Sequence, residues 1–392
     1  MWVCYLLCAL PLIGGLWAWI YTKKVVWWEW LVSVVVAIVA CFIWHICLVW
    51  GMTTDQEIWS GYITVTTHHP RWVEEYQEAI YKTVTKTRTV GSGKNRRTET
   101  YTERVFSHYE TRHRTHPEHW DAEDTLGYNY DIDQARFEET SKAFGGYETR
   151  KVSKSGFDSG DPNIYVAHNK TGIIFPTVTI KSWTNRVKSA PSLFSYVKVP
   201  EGTKVFDYPY PLNKGWASSN RLLGTCQNVP ILEWDRLNAR LGSTKKINLI
   251  ACGFPTEGDG DSCMAQFQEA AWFGGKKNDL VICIGGTPRS PSWVNVFGWT
   301  EREDCKRNLE TLILKDGFCL ETLPAIEKEV LANYQIKDWS KFDYLEIEPS
   351  PWAYVTILLI ILVTQGGVWY FAFSNEENKD ETLFDRLKRR QG

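Results

Sequence analysis

Lys246-Ile247-Asn248-Leu249-Ile250-Ala251-Cys252-Gly253-Phe254 is a near-continuous apolar run, the mark of a strand buried on both faces. A second such run, Asp279 to Gly285, follows it. Between them, from about Ser262, Met264, Phe267 and Ala271 recur at helical spacing and Gly274-Gly275 supplies the stop. Trp293 to Trp299 alternates like a third strand. Upstream, Ile231 to Leu241 sets Leu232, Leu237 and Leu241 along one side of a helix. Downstream, Cys305, Leu309, Leu312 and Ile313 mark one amphipathic helix, and Leu320, Leu323, Ile326, Val330 and Leu331 another. The order α-β-α-β-β-α-α predicts a three-layer α/β unit over 212–336, a sheet covered by helices on both faces.

Within that unit, Trp272-Phe273-Gly274-Gly275-Lys276-Lys277-Asn278-Asp279-Leu280-Val281-Ile282-Cys283-Ile284, with Val296-Phe297-Gly298-Trp299 after it, resembles the TPM domain family. In that family a helix ending in Trp-Gly leads through a Gly/Lys/Asn turn into an apolar strand, and a strand ending in Gly-aromatic follows. The resemblance implies a TPM-like fold, exported and tethered by a membrane helix just beyond the domain. It also implies either a phosphatase or an accessory and assembly role. It spans only residues 212–336, and Gly298-Trp299 is followed here by Thr300-Glu301-Arg302-Glu303 instead of a second Gly. No catalytic residue carries over.

Residues 53–211 read differently, as a β-rich domain of short runs between turn signals. Tyr62 to Thr66, Ala79 to Val90 and Arg96 to Thr111 are β-like. Thr at alternate positions on both sides of Gly91-Ser92-Gly93-Lys94-Asn95 predicts a long hairpin. Both its faces are polar, so it should project into solvent. His108, His113, His116 and His119 could gather around a metal, but their spacing matches no standard zinc signature and Pro117 interrupts them; exposed polar histidines are the expectation. Residues 145–172, rich in Gly, Ser, Asp and Asn, read as a loop carrying the sequon Asn169-Lys170-Thr171.

Three further runs are long and apolar: Val3 to Tyr21, Val25 to Trp50 and Trp352 to Phe373. Each meets the roughly 18–20 residues a helix needs to cross about 30 Å of hydrocarbon, and Trp17, Trp19, Trp27, Trp28, Trp30, Trp50 and Trp352 cluster at their ends as interfacial residues do. The expectation is three transmembrane helices: a hairpin over 1–52 and a third span over 351–374, after a linker over 337–350. The first run lacks a basic n-region and a small-x-small cleavage site, so it reads as a span and not as a signal peptide. Lys23 and Lys24 lie between the first two runs, and Arg386, Lys388, Arg389 and Arg390 lie in the tail 375–392. By the positive-inside rule both clusters are cytoplasmic and the bulk of the chain is extracytoplasmic.

The chain of 392 residues has 44 Lys plus Arg against 46 Asp plus Glu, a net charge of −2. That balance excludes a dedicated nucleic-acid binder. Cys226 to Cys319 spans six cysteines in a compartment that permits disulfides, with fifteen possible pairings left open; Cys252 and Cys283 sit in the buried runs and read equally well as core thiols. Glu257, Asp259 and Asp261, in a Gly-rich loop at the carboxyl end of the first buried strand, are the candidate metal ligands, with Ca²⁺ as the cation. Against this, Asp261 or Ser262 would serve simply as a helix cap. Gly-x-Ser-x-Gly, Walker and His-Glu-x-x-His signatures are absent. The leading expectation is a non-enzymatic, multi-pass membrane protein that presents its extracytoplasmic domain to a protein partner in the envelope. The alternative is a TPM-type metal-dependent phosphatase or hydrolase working through loop 257–261.

Overall fold

A computed structural model describes residues 11, 13–14, 27–90, 97–211, 215–216, 220–255 and 262–374. It is a mixed α/β structure with seven α-helices and three sheets among the described residues.

Helix α1 (Trp27–Thr53) runs without a break into strand β1 (Thr54–His69), and β2 (Trp72–Val90) and β3 (Arg97–His116) follow. Next come β4 (His119–Asp124), β5 (Asn129–Ile132), α2 (Gln134–Ala143), β6 (Glu148–Lys151), β7 (Phe157–Gly160), β8 (Asn163–His168) and β9 (Pro176–Thr184). Strand β1 organises this half. Its first part pairs with β9, and its second part lies between β4 and β8, all antiparallel. The span 145–172 is therefore a correction to the loop expectation. Its polar, Gly-rich composition hides three short strands, because β8 is held by pairing with β1, β6 by pairing with β8, and β7 by pairing with β2. Cross-strand pairing, which is non-local, outweighs local propensity here.

The hairpin is longer than expected. β2 and β3 pair from Trp72↔His116 to Val90↔Arg97, with one bulge at Ile80 and Tyr81. β7 supports only Trp72 to Glu74. From Glu75 outward the ribbon is two-stranded among the described residues, about 50 Å of it at 3.4 Å per residue.

The second half contains the expected α-β-α-β-β-α-α order, preceded by two short strands that the sequence did not announce, one of which joins the sheet. Strands β10 (Gly215–Trp216) and β11 (Leu222–Gly224) precede α3 (Ile231–Lys245), β12 (Asn248–Phe254), α4 (Cys263–Ala271), β13 (Asp279–Thr287), β14 (Ser290–Gly298), α5 (Glu303–Asp316) and α6 (Leu323–Asn333). The sheet order is β11-β12-β13-β14, parallel except for β14. Alternation along the two central strands splits their side chains between two cores. Leu249, Ala251, Leu280, Ile282 and Ile284 join Trp234, Leu237, Leu309, Ile313, Ile326 and Val330 from α3, α5 and α6. Ile250, Cys252, Phe254, Val281 and Cys283 face Met264 and Ala265 of α4. Each fully buried Leu or Ile stabilises the unit by about 1.5–3 kcal/mol. Helix α3 ends where Lys246 takes a left-handed φ of 56° and returns its N–H to Gly242.

The boundary at 212 is not clean. Phe206 and Tyr208 already pack on the α4 side of the α/β sheet, whereas Gly215 and Trp216 return to pair with β9. The linker 337–350 is docked as well. Trp339 meets Trp183 of β9 and Trp299 of the α/β unit edge to face, at 4.7 and 5.3 Å between ring centres, and Glu348 accepts from the N–H and hydroxyl of Ser192.

Helix α7 (Pro351–Ser374) closes the described chain. Two helices, over Leu31–Thr53 and Pro351–Val368, are long and apolar enough to cross a membrane. They pack antiparallel through Cys41, Ile357 and Ile361, and Ser33 and Gln365 hydrogen-bond each other within the pair. The run Val3 to Tyr21, expected as a third span, lies outside the described residues apart from three positions, and so do the basic clusters used for orientation.

Cys226, Cys252, Cys283 and Cys305 are buried thiols and Cys319 is partly buried, none of them bridged. Cys252 and Cys283 lie opposite each other on β12 and β13, and burial pushes the Cys252 thiol well up. Core packing is the role of both.

Candidate functional site

Glu257, Asp259 and Asp261, the expected Ca²⁺ ligands, lie outside the described residues. At their margin Ser262 precedes α4 without giving it a side-chain cap. Gly285 to Thr287 end β13, with Gly286 at φ 90°, and Pro288-Arg289 form the turn into β14.

The histidines of the run 108–119 have separate partners. His108 bonds Ser107, His113 lies 3.6 Å from Asp158, and His116 stacks on Trp72 at 4.1 Å while bonding Glu74. What the sequence did not reveal is the meeting of His68-His69 with Glu118-His119-Trp120-Asp121. The register of β1 against β4 and β8 decides it. His68 lies directly opposite both Trp120 and Tyr165, so three rings sit side by side across three strands. His68 stacks with Trp120 at 5.1 Å and with Tyr165 at 5.4 Å, and its Nε2 is 2.7 Å from Glu118 Oε1.

Helix α2 crosses this face. Asp133 caps it by accepting from the N–H of Arg136 at 2.7 Å, which sets Phe137 against His68 and Glu138 beside the rings. Tyr147 closes the far wall, edge-on to Tyr165 at 5.4 Å. The result is a cleft of about 480 Å³ lined by His68, Phe137, Tyr147, Trp120 and Tyr165 with Glu118, Glu138 and Asp161 around them. Asp161 accepts from the N–H and Nδ2 of Asn163 and from Tyr165 Oη, each at 2.8 Å. The Asn163 N–H and the tyrosine hydroxyl hold its carboxyl below the ordinary range against burial, and Lys154 nearby adds to the lowering.

On the opposite face, His69, His119 and Asp121 bring two imidazoles and a carboxylate within 4.8 Å of one another. That is a donor set zinc or iron would accept. The two rings, however, are stacked parallel, 4.4 Å apart and 5° from coplanar, so their lone pairs do not converge. His69 Nε2 is already 3.1 Å from Asp121 and His119 Nδ1 is 3.3 Å from the Pro117 carbonyl. A second trio, Glu75, His113 and Asp158, is fully exposed.

The segment that carries the TPM resemblance forms the clasp between the two halves. Asp55 and Glu57, two apart and so on one face of β1, pair with Lys276 and Lys277. Asn278 Nδ2 donates to the Ile58 carbonyl at 2.7 Å. Asp279 accepts from Asn248 Nδ2, the Lys276 N–H and Tyr208 Oη at 2.7 to 3.0 Å; burial pushes its carboxyl up to about 6 against those donors. Arg221 completes the clasp, reaching Ser60 Oγ, Asn248 Oδ1 and Asp235. Gly242 lies against the Ser60 carbonyl, where a Cβ would not fit. All of this sits at the amino ends of β12 and β13, opposite the end where parallel sheets bind ligands. The clasp is architectural.

No family model, curated protein or solved structure matches the chain.

Proposed function

We infer that the chain is a membrane-anchored protein whose body, residues 53–350, is held on the extracytoplasmic face to bind or organise a protein partner of the envelope, without catalysing a reaction. The observation that carries this reading is the antiparallel pair α1 and α7. Their body-side ends, Thr53 and Pro351, enter the body with a strand on one side and the docked 339–348 segment on the other. Both helices therefore leave the body in the same direction, as two anchors of one domain must. By its apolar sequence alone the run Val3 to Tyr21 is proposed as a third span, and residues 212–336 as a TPM-like scaffold.

The arm formed by β2 and β3 is the partner-binding element in this reading. A two-stranded ribbon is marginal in water on its own. Its cross-strand pairs, such as Lys86 with Glu103 and Arg112 with Glu78, are exposed and contribute little. Tyr81, Phe106 and Tyr109 cluster on one side of it, 47 to 63% exposed. A ribbon of this length is stabilised by a neighbour that covers those rings. Hydrogen exchange tests this: amides of 76–88 and 98–112 should exchange rapidly in purified, detergent-solubilised protein and be protected in native membranes. Equal exchange in the two settings would remove the arm from the partner interface.

A further inference from the structure

We propose that the cleft between β1, β4, β8 and α2 binds an organic ammonium cation.

Its walls are aromatic. Trp120, His68 and Tyr165 form one row across the sheet, and Phe137 and Tyr147 rise beside it. Ring faces carry negative potential and attract cations, most strongly at indole and phenol; the row is stacked, with 14° and 21° between ring planes, so a cation is served by the ring faces left outside that stack. Its charged lining is acidic: Glu118, Glu138 and Asp161 are present, and His68 is the one other titratable group with a basic side chain. Neither Lys nor Arg lines it among the described residues. Lys154 approaches from outside, with its ammonium 3.0 Å from the Asp161 carbonyl and over the Trp72 ring.

The carboxylates are also positioned in advance. Asp161 is held by Asn163 and Tyr165, Glu138 by Gln134 Nε2 at 2.8 Å, and Glu118 by His68. Apart from His68 these donors are neutral, so they orient the acids without cancelling their charge. A volume of about 480 Å³ falls within the range of small-ligand sites, roughly 300–1,000 Å³. An anion would be repelled by three oriented carboxylates, and a neutral sugar, although its hydroxyls could donate to them, would leave their charge uncompensated. A cation gains from both walls and rim.

A substituted ammonium occurs both on small choline-like molecules and on lysine side chains of a protein. If the anchored reading above holds, about 45 Å of strand β1, from Thr54 to His68, separates the cleft from the α1 end, which favours a source other than the headgroups of the chain's own bilayer. The cation-binding chemistry itself does not depend on that reading.

The test is calorimetric titration of the full-length protein in maltoside micelles with tetramethylammonium, choline and acetyl-Nε-trimethyllysine amide. The neutral isostere of choline, 3,3-dimethylbutanol, serves as the control. The ammonium probes should bind at least about tenfold more tightly than the isostere, which corresponds to about 1.4 kcal/mol. Choline binding better than the lysine derivative indicates a small-molecule ligand, and the reverse order a side chain. Tyr147 is 57% exposed, so Tyr147→Ala should leave the melting temperature unchanged while weakening binding several-fold. Glu138→Gln should do the same, whereas Tyr196→Ala, at a distant exposed ring, should not. Absence of ammonium binding, equal binding of the isostere, or full affinity in both Tyr147→Ala and Glu138→Gln would overturn the proposal.

Discussion

Arg221→Met is expected to destabilise the body by about 3–5 kcal/mol, because it removes the buried cation that neutralises the Asp235 carboxylate. Arg221 and Asp235 are 3% and 2% exposed, with their charged groups 3.1 Å apart. Burial pulls the guanidinium below its ordinary value, and Asp235 opposes that pull. The guanidinium also donates to Ser60 of β1 and Asn248 of β12, at 2.6 and 3.0 Å. The loss therefore falls on the junction of the two halves as well as on the α/β core. Denaturant unfolding followed by tryptophan fluorescence measures it. The double variant Arg221→Met/Asp235→Leu should recover most of the loss, since two apolar residues leave no unpaired charge. A single variant costing under about 1 kcal/mol would place the pair among the weak ones.

Lys276→Met is expected to cost about 3 kcal/mol or more by the same route. Its ammonium pairs with Asp55, which is 3% exposed and keeps only neutral donors, Asn185 Nδ2 at 2.7 Å and the Gln56 N–H at 2.9 Å. It also lies over the rings of Tyr208 and Tyr210, at 4.9 and 5.5 Å. Burial works to lower the lysine pKa, but Asp55 and Tyr210 together outweigh it and the net direction is upward from 10.5. A group raised on folding stabilises fully below its unfolded value and loses that contribution as pH rises through the folded one. The difference between wild type and variant should thus be level from pH 7 to about 10 and shrink only above 10.5. A difference that falls between pH 7 and 9 would contradict the pairing.

These residues mark what the sequence exposes and what it conceals. Runs such as Ile247 to Phe254 and Asp279 to Gly285 announce their strands, because burial on both faces requires unbroken apolarity. Helices α3, α5 and α6 are legible from the spacing of Leu237, Leu241, Leu309, Ile313, Ile326 and Val330. Asp55 and Glu57 look like ordinary solvated charges, and only the docking of β1 onto Lys276 and Lys277 makes them a clasp. Strands β6 to β8 were concealed by Gly, Asp and Asn, since what fixes them is their pairing with β1 and β2. The cleft was hidden for the same reason. His68, Trp120 and Tyr165 are up to 97 positions apart in the chain, and only strand register sets them side by side. The histidines that were visible as a run, His108 to His119, alternate along a ribbon and a turn and so point to different partners.

The central claim is that one body is carried on one side of a bilayer by two neighbouring helices. The most direct measurement is protease protection of intact membrane vesicles containing the full chain, with one epitope tag inserted after Gly202, an exposed turn of the body, and another after Gly392. The account predicts that the two tags are cleaved from opposite sides, the Gly202 tag from the extracytoplasmic face and the terminal tag only after the membrane is opened from the cytoplasmic side. Cleavage of both tags from the same side would contradict it.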